Sequence, residues 1–380
     1  MNKKGLVKTI FVVFAVTLVL AVSTGCPGEI NEPVRTVKVA AGSQHTVLLK
    51  SDGTVWVAGR NNYGQLGLSG MWSRYGFTQV PDVSGIVDVS AGDYHTVLLK
   101  NDGTVWVTGQ NGRGRLGLGY SGGDRFGFVQ VPGLTDVVSV GAGSSHTVVL
   151  KRDGMVWGTG DNGSSQLGMG DGEVFDGVTS FTALPGISSG KRILAGGYYT
   201  LVLKDDGTLW GTGSNSSGQL GLGETPTHQY TFIPLSITDI KDISAGLFHT
   251  VMVKNDGTVW AAGENDRGQL GLGDNVNRSI FTEVSGITGV DKVATGSNCT
   301  FIILNDGRIY ATGWNAYGQL GLGDTNNRNT YEIVAGISDV TMIASGGTHT
   351  ILLRSDGTVW SVGDNRYGQL GIGSVIGPGN

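Results

Sequence analysis

The sequence predicts an all-β protein, a seven-bladed β-propeller built from four-stranded antiparallel blades. Three observations carry that reading. One unit of about 50 residues recurs seven times, marked by the turns Asp52-Gly53, Asp102-Gly103, Asp153-Gly154, Asp206-Gly207, Asp256-Gly257, Asp306-Gly307 and Asp356-Gly357. Each unit is made of short β-rich runs separated by turn residues, without helical periodicity. Glycine accounts for 66 of the 380 residues but follows no three-residue period, which excludes collagen and leaves a turn-rich fold. With 39% hydrophobic and 15% charged residues, the chain has material for a core and is not a disordered polymer.

The elements of one unit are clearest between Val87 and Gly119. A short apolar run, Val87 to Ser90, forms the first strand. After Ala91-Gly92 comes the second strand, His95 to Lys100, then the turn Asn101-Asp102-Gly103 and the third strand, Thr104 to Val107. Two β-rich runs joined by Asp-Gly are a hairpin signal, because Asp and Gly accept the positive φ that such tight turns demand. A loop of the form G-x-N-x-x-G-Q-L-G-L-G follows, and a fourth strand closes the unit, as in Phe77 to Val80 of the first copy. Radial packing of seven such sheets buries both faces of each blade and leaves only short edges. Trp56, Trp106, Trp157, Trp210, Trp260 and Trp360, with Tyr310 in the sixth copy, fit as aromatic wedges between blades.

The units resemble the regulator of chromosome condensation repeats through the signature HT-x-L-L-x-x-DG-x-V-W-x-x-G-x-N-x-x-GQLGLG. The resemblance covers all seven copies and nearly the whole chain after its first 25 residues. It implies the seven-bladed propeller. Eukaryotic members of that family act as guanine-nucleotide exchange factors for a small GTPase, and exported bacterial members include an inhibitor of β-lactamase, so the resemblance implies a binding protein rather than an enzyme.

Residues 1–25 read as a targeting segment: Lys3, Lys4 and Lys8 precede an apolar run from Ile10 to Val22, followed by Ser23, Thr24 and Gly25. The Gly25-Cys26 junction resembles a lipoprotein cleavage site with lipid attachment at Cys26, although Ser23 stands where that pattern has Leu. The expectation is an exported chain in the cell envelope, residues 26–380 forming the propeller, tethered to a membrane through an N-terminal lipid. A lipidated Cys26 leaves Cys299 without a disulfide partner. Without the three lysines of the segment the net charge falls from −5 to −8, which disfavours nucleic acid as a partner.

In five units the last strand begins at an aromatic residue, Phe77, Phe128, Phe181, Phe281 or Tyr331, 15 positions before the next unit's glycine. The seventh unit ends before that position, so its blade is expected to lack the outer strand. Ile30 stands 12 residues before Gly42, as Val80 does before Gly92, so Glu29 to Val34 are expected to complete the last blade and join the chain ends.

No catalytic, metal or cofactor site is expected. His45, His95, His146, His249 and His349 occupy one position in five units, replaced by Tyr199 and Cys299 in the others. A residue copied around a ring serves structure, whereas a catalytic site is assembled once. Gly117, Gly119 and Gly122 match G-x-G-x-x-G but lack a βαβ context. The copies differ instead in the two loops that leave each blade on the same side. One set holds Tyr94, Tyr198 and Phe248 just before the repeated position; the other holds Tyr63, Arg113, Arg267, Trp314, Tyr317, Arg366 and Tyr367, with Trp72 and Tyr75 in a longer first loop. Ring closure makes the sixth, seventh and first blades neighbours, placing Tyr317, Tyr367 and Tyr63 in one arc. Tyr, Trp and Arg anchor interfaces, so the expected function is a non-enzymatic, monomeric scaffold presenting this aromatic face to a protein or peptide partner. Inhibition of an extracytoplasmic enzyme such as a β-lactamase is the alternative, and nucleotide exchange on a small GTPase is a further one.

Overall fold

The computed structural model describes residues 33–170 and 177–373, and within them the chain forms seven antiparallel sheets, six of four strands and the last of three. The targeting segment, Cys26 and most of the expected closing strand, residues 29–32, lie outside the described residues, and Pro33 and Val34 carry no strand. In the first blade the strands are Thr36–Ala41, His45–Lys50, Val55–Gly59 and Arg74–Gln79, paired in chain order. The last blade has Val340–Ser345, His349–Arg354 and Val359–Gly363. Its third strand is half-buried throughout, whereas the same strand of the first blade is mostly buried.

Outer strands start earlier than the aromatic residue that marks them in the sequence. In the first blade the pairing passes a register shift between Val57 and Gly59 and extends to Gly59 opposite Arg74. Tyr75 therefore belongs to this strand and not to the preceding loop.

Each hairpin turn is held by its Asp. The Asp52 carboxylate accepts the Thr54 amide at 3.0 Å and the Thr54 hydroxyl at 2.7 Å, while Gly53 takes a φ of +77° that a side chain would strain. The long loop is wound around its Asn: Asn61 accepts the Leu66 amide at 2.9 Å and donates to the Gly70 carbonyl at 2.6 Å. This loop crosses into the next blade. Gly67 lies under the ring of Phe128, and Gly371 of the last blade lies under Phe77 of the first, so the crossing also closes the ring.

Each core lies between blades. Val47, Leu49, Val55 and Val57 of the first blade pack with Ile86, Val89 and Leu98 of the second, and burial of such side chains stabilises by about 1.5–3 kcal/mol each. The tryptophans pack on these cores but stay half-buried at their edge, and Trp106, Trp210 and Trp260 each have a threonine acceptor and a lysine over the ring. Trp260 donates its indole N–H to Thr258 at 3.1 Å, and the Lys254 ammonium lies 4.1 Å from its ring centre. Among the described residues, the seam between the last and first blades has a smaller core, Val39 and Leu48 against Ile351 and Leu353.

A polar belt ties neighbouring blades near the axis. His45 Nε2 lies 3.0 Å from Thr96 Oγ1 of the next blade, and that hydroxyl donates to the Gln65 carbonyl at 2.6 Å. A hydroxyl has one hydrogen, so the imidazole must donate from Nε2 and accept nothing there. The same bond joins His95 to Thr147, His146 to Thr200 and His249 to Thr300, and His349 to Thr46 across the seam at 2.8 Å. Where the sequence replaces His, another group bridges. Tyr199 donates to the His249 carbonyl at 2.6 Å with its oxygen 3.0 Å from Thr250 Oγ1, and Cys299 reaches Ser345 at 3.2 Å, which lies 2.9 Å from Thr350. The glycine before each belt residue permits the approach: a methyl on Gly42 would sit 2.2 Å from the His45 ring and 2.4 Å from the Gly92 carbonyl oxygen.

Burial holds these histidines neutral, pushing His45 down to about 3 and His146, His249 and His349 to about 4, and lowering His95 as well. Because the unfolded chain binds protons near pH 6.5, their contribution to stability is complete above that pH and is lost as the pH falls toward 4. Urea unfolding at pH 7.5 and pH 5 should show a fall of ~1 kcal/mol or more per belt histidine. An unchanged midpoint would contradict the belt.

Candidate functional site

Backbone geometry brings the two variable loops of every blade together. The residue after each third strand donates its amide to the loop between the first two strands: Arg60 to Gln44 at 2.9 Å, Gln110 to Tyr94 at 2.8 Å, Trp314 to Asn298 at 2.8 Å and Asp364 to Thr348 at 3.0 Å. These loops share one face, and the Asp-Gly turns occupy the other.

On the loop face a run of alternating rings and cations crosses three blades and reaches a fourth. Trp314 and Tyr317 of the sixth blade meet edge to face with centroids 5.4 Å apart. The Arg366 guanidinium of the seventh blade lies 5.0 Å from the Tyr317 ring and is held by Asp364, whose carboxylate accepts from Arg366 Nε and Nη2. Next comes Tyr367, then Arg60 of the first blade, 5.1 Å from the Tyr367 ring and 5.7 Å from the Tyr63 ring. Tyr63 meets Tyr94 of the second blade edge to face at 5.2 Å. Tyr75 extends the run outward by donating its hydroxyl to the Arg366 carbonyl at 3.2 Å. Trp72 stands out from the same first-blade loop, 79% exposed. Ring-edge contacts and cation–π contacts of these kinds contribute about 0.5–1.5 kcal/mol each and hold the side chains in place.

Tyr198 and Phe248 form a separate pair on the fourth and fifth blades, stacked at 5.3 Å. Burial raises the Tyr198 phenol above its usual range, and the Asp93 and Asp161 carboxylates add to the shift. Those acids belong to a polar patch around Arg115, which stands where other copies have Gln. Arg115 is buried and donates to the Gly112 and Ser144 carbonyls, each at 3.1 Å. Burial raises the Asp93 carboxyl while a bond to Ser144 and the Arg115 charge oppose the shift. Arg113 pairs with Asp161 at 3.2 Å, so it serves this patch and not the aromatic run. Arg267 is exposed on the fifth blade.

Where the blades meet at the axis, Gly42, Gly92, Gly143, Gly196, Gly246, Gly296 and Gly346 line a depression of about 180 Å³, with Asp93 and Ser144 at its rim. Among the described residues no group of three metal-ligating side chains comes together. The belt histidines are wholly buried and unavailable to a ligand. The sequence marks Tyr63, Tyr317 and Tyr367 as one arc, and Arg60 and Arg366 lie against their rings. Arg60 is the residue that sequence reasoning missed. Its signal is its ring position, shared by Gln110, Asp161, Ser214, Glu264, Trp314 and Asp364, where Arg60 is the cation.

Residues 129–378 match the RCC1-like domain model, and models of the regulator of chromosome condensation (RCC1) repeat match residues 36–65, 86–115, 52–99 and 102–150. The chain is similar to the ultraviolet-B receptor UVR8 of Arabidopsis thaliana, 31% identical over 52% of this chain and 46% of that protein. It is also similar to the probable E3 ubiquitin-protein ligase HERC4 of Mus musculus, 42% identical over 51% of this chain and 18% of that protein. These matches span less than half the length of either relative. Among solved structures, Prp20p of Saccharomyces cerevisiae superposes with a TM-score of 0.74 at 21% identity, covering 88% of this chain and 84% of that one. Human WBSCR16 gives 0.75 at 21% identity, covering 86% and 88%. At such identities the likeness is one of fold.

The packing of Arg60 on Tyr367 predicts energetic coupling across the seam. A double-mutant cycle with Arg60→Ala and Tyr367→Ala, read by urea unfolding, should show ~0.5–1 kcal/mol of interaction. Strict additivity would mean that the two side chains do not hold each other.

Proposed function

The chain belongs to the RCC1-like domain family, and we propose that it is a non-enzymatic scaffold whose aromatic loop face binds a protein or peptide partner. The supporting observation is the run from Trp314 to Tyr94, built where the seven copies differ and pinned by cations that hold its rings in place. A surface whose aromatic side chains are already ordered loses little rotamer entropy on binding. The opposite face repeats one turn and gives a partner little to distinguish. Prp20p, which shares the fold, is described through its binding to Gsp1p and histones, which accords with a propeller that works by binding.

The setting we propose is the cell envelope. Residues 1–25 direct export, and lipid on Cys26 tethers the propeller to a membrane; several acyl chains, at about 0.8 kcal/mol per buried CH₂, make that tether stable. Blocking an extracytoplasmic enzyme such as a β-lactamase is one form that binding through this face takes.

Affinity capture with the expressed protein, compared with a variant carrying Tyr63→Ala, Tyr317→Ala and Tyr367→Ala, tests the face. A partner seen with the wild type should be lost, by 100-fold or more in affinity, while circular dichroism shows the fold intact. Equal retention by both proteins would refute the assignment. For the tether, intact-mass measurement of membrane extracts should find the wild type heavier than Cys26→Ser by the acyl groups once each chain's own residues are accounted for, and agreement with the unmodified mass would rule lipid out.

A further inference from the structure

Resting on the reading of the aromatic face as a binding surface, we propose that Arg60 is its charge anchor and that it takes a carboxylate from an acidic peptide segment of the partner. The guanidinium is held from both sides, 5.7 Å from the Tyr63 ring of its own blade and 5.1 Å from the Tyr367 ring across the seam. Its third support is a neutral one: Nη1 donates to the Gln44 side-chain oxygen at 2.7 Å. Nε is buried without a partner, so the donors left are on the Nη1–Nη2 edge.

Of the two arginines stacked within the aromatic run, Arg60 and Arg366, what sets Arg60 apart is its charge balance. On the same face Arg366 is discharged by Asp364 at 2.9 Å and Arg113 by Asp161 at 3.2 Å, and buried Arg115 has Asp93 beside it. Arg60, half-buried, makes no ion pair with any described carboxylate. A guanidinium that is partly desolvated, stacked and oriented but not neutralised is the arrangement that gains most from an incoming carboxylate, since its fork matches two carboxylate oxygens and little rotamer freedom remains to be lost. The flanking Tyr rings and Tyr94 would cover the apolar stem of a Glu or Asp side chain. A polyanion such as a phosphate-rich partner fits less well. The whole chain carries a net charge of −5, so no broad positive field surrounds this cation, which suits a single carboxylate.

The test is selection from a random peptide library displayed on phage, against the immobilised full-length protein and against Arg60→Gln, Arg60→Lys and the Tyr63/Tyr317/Tyr367 triple alanine variant. Wild type should enrich peptides with Asp or Glu next to an aromatic or apolar residue. Synthetic copies of those peptides should bind at least tenfold more weakly to Arg60→Gln, lose affinity as salt is raised, and recover only partly with Arg60→Lys, which keeps the charge without the fork. Peptides that bind wild type and Arg60→Gln alike, yet fail on the triple variant, would overturn the anchor while leaving the face as a binding surface. So would a lowered melting temperature in Arg60→Gln with peptide affinity unchanged, which would make Arg60 only a clamp on the seam. Selected peptides that bind all four proteins equally would overturn both the anchor and the face, and so would a library that yields none.

Discussion

The architecture depends on one bond repeated around a ring: a buried imidazole N–H donated to the threonine of the next blade, whose own hydrogen is committed to the carbonyl of the loop that crosses between them. A bond of this kind contributes about 1 kcal/mol net when made and costs more when one partner is left buried alone. Its larger effect is on geometry. The donor, the hydroxyl and the carbonyl come from two adjacent blades, so each blade is placed relative to its neighbour, and the seventh relative to the first through His349, Thr46 and Gln369. The exceptions show that the link matters more than the residue. Tyr199 reaches farther and uses its phenol, and Cys299 stops short and is met by Ser345, where the first and second blades have Ala41 and Ala91.

That constraint separates the molecule into parts that cannot vary and parts that can. Belt residues, their glycines, the Asn-wound loops and the Asp-Gly turns are tied to neighbours through backbone atoms or close packing, and they recur in copy after copy. The loop ends touch the belt only through backbone hydrogen bonds, so their side chains are free to differ. The aromatic run occupies those positions, and it crosses the seam where the apolar core is smallest among the described residues, so its packing also reinforces the join between last and first blades.

Much of this was legible in the sequence because a repeat reports its own constraints. The seven Asp-Gly turns, the strand order and the three described strands of the last blade follow from pattern alone. Three features were harder to read. The partner of His45 is a threonine 51 residues away, and because every unit carries the same His-Thr pair, the sequence does not show which blade's threonine is used. The aromatic marker of the outer strand, Phe77, sits three residues inside it, so the sequence pattern places Tyr75 in a loop. The sequence places the tryptophans as wedges in the core between blades, but an indole N–H needs a partner, and at Trp106, Trp210 and Trp260 the threonine and lysine that satisfy and cover the ring sit at the blade edge. For the loop face, residue types gave the aromatic members, whereas Arg60 and Arg366 act through spatial neighbours on other blades that only the closed ring brings near.

The claim that the blades are ordered by neutral, singly donating imidazoles is tested most directly by long-range ¹H–¹⁵N NMR of the histidine side chains in the folded protein. All five repeated histidines should appear as Nε2–H tautomers with an unprotonated Nδ1, and their shifts should stay fixed from pH 8 to pH 5 while the fold persists. Resonances that titrate near pH 6.5, or an Nδ1–H tautomer at these positions, would contradict the account.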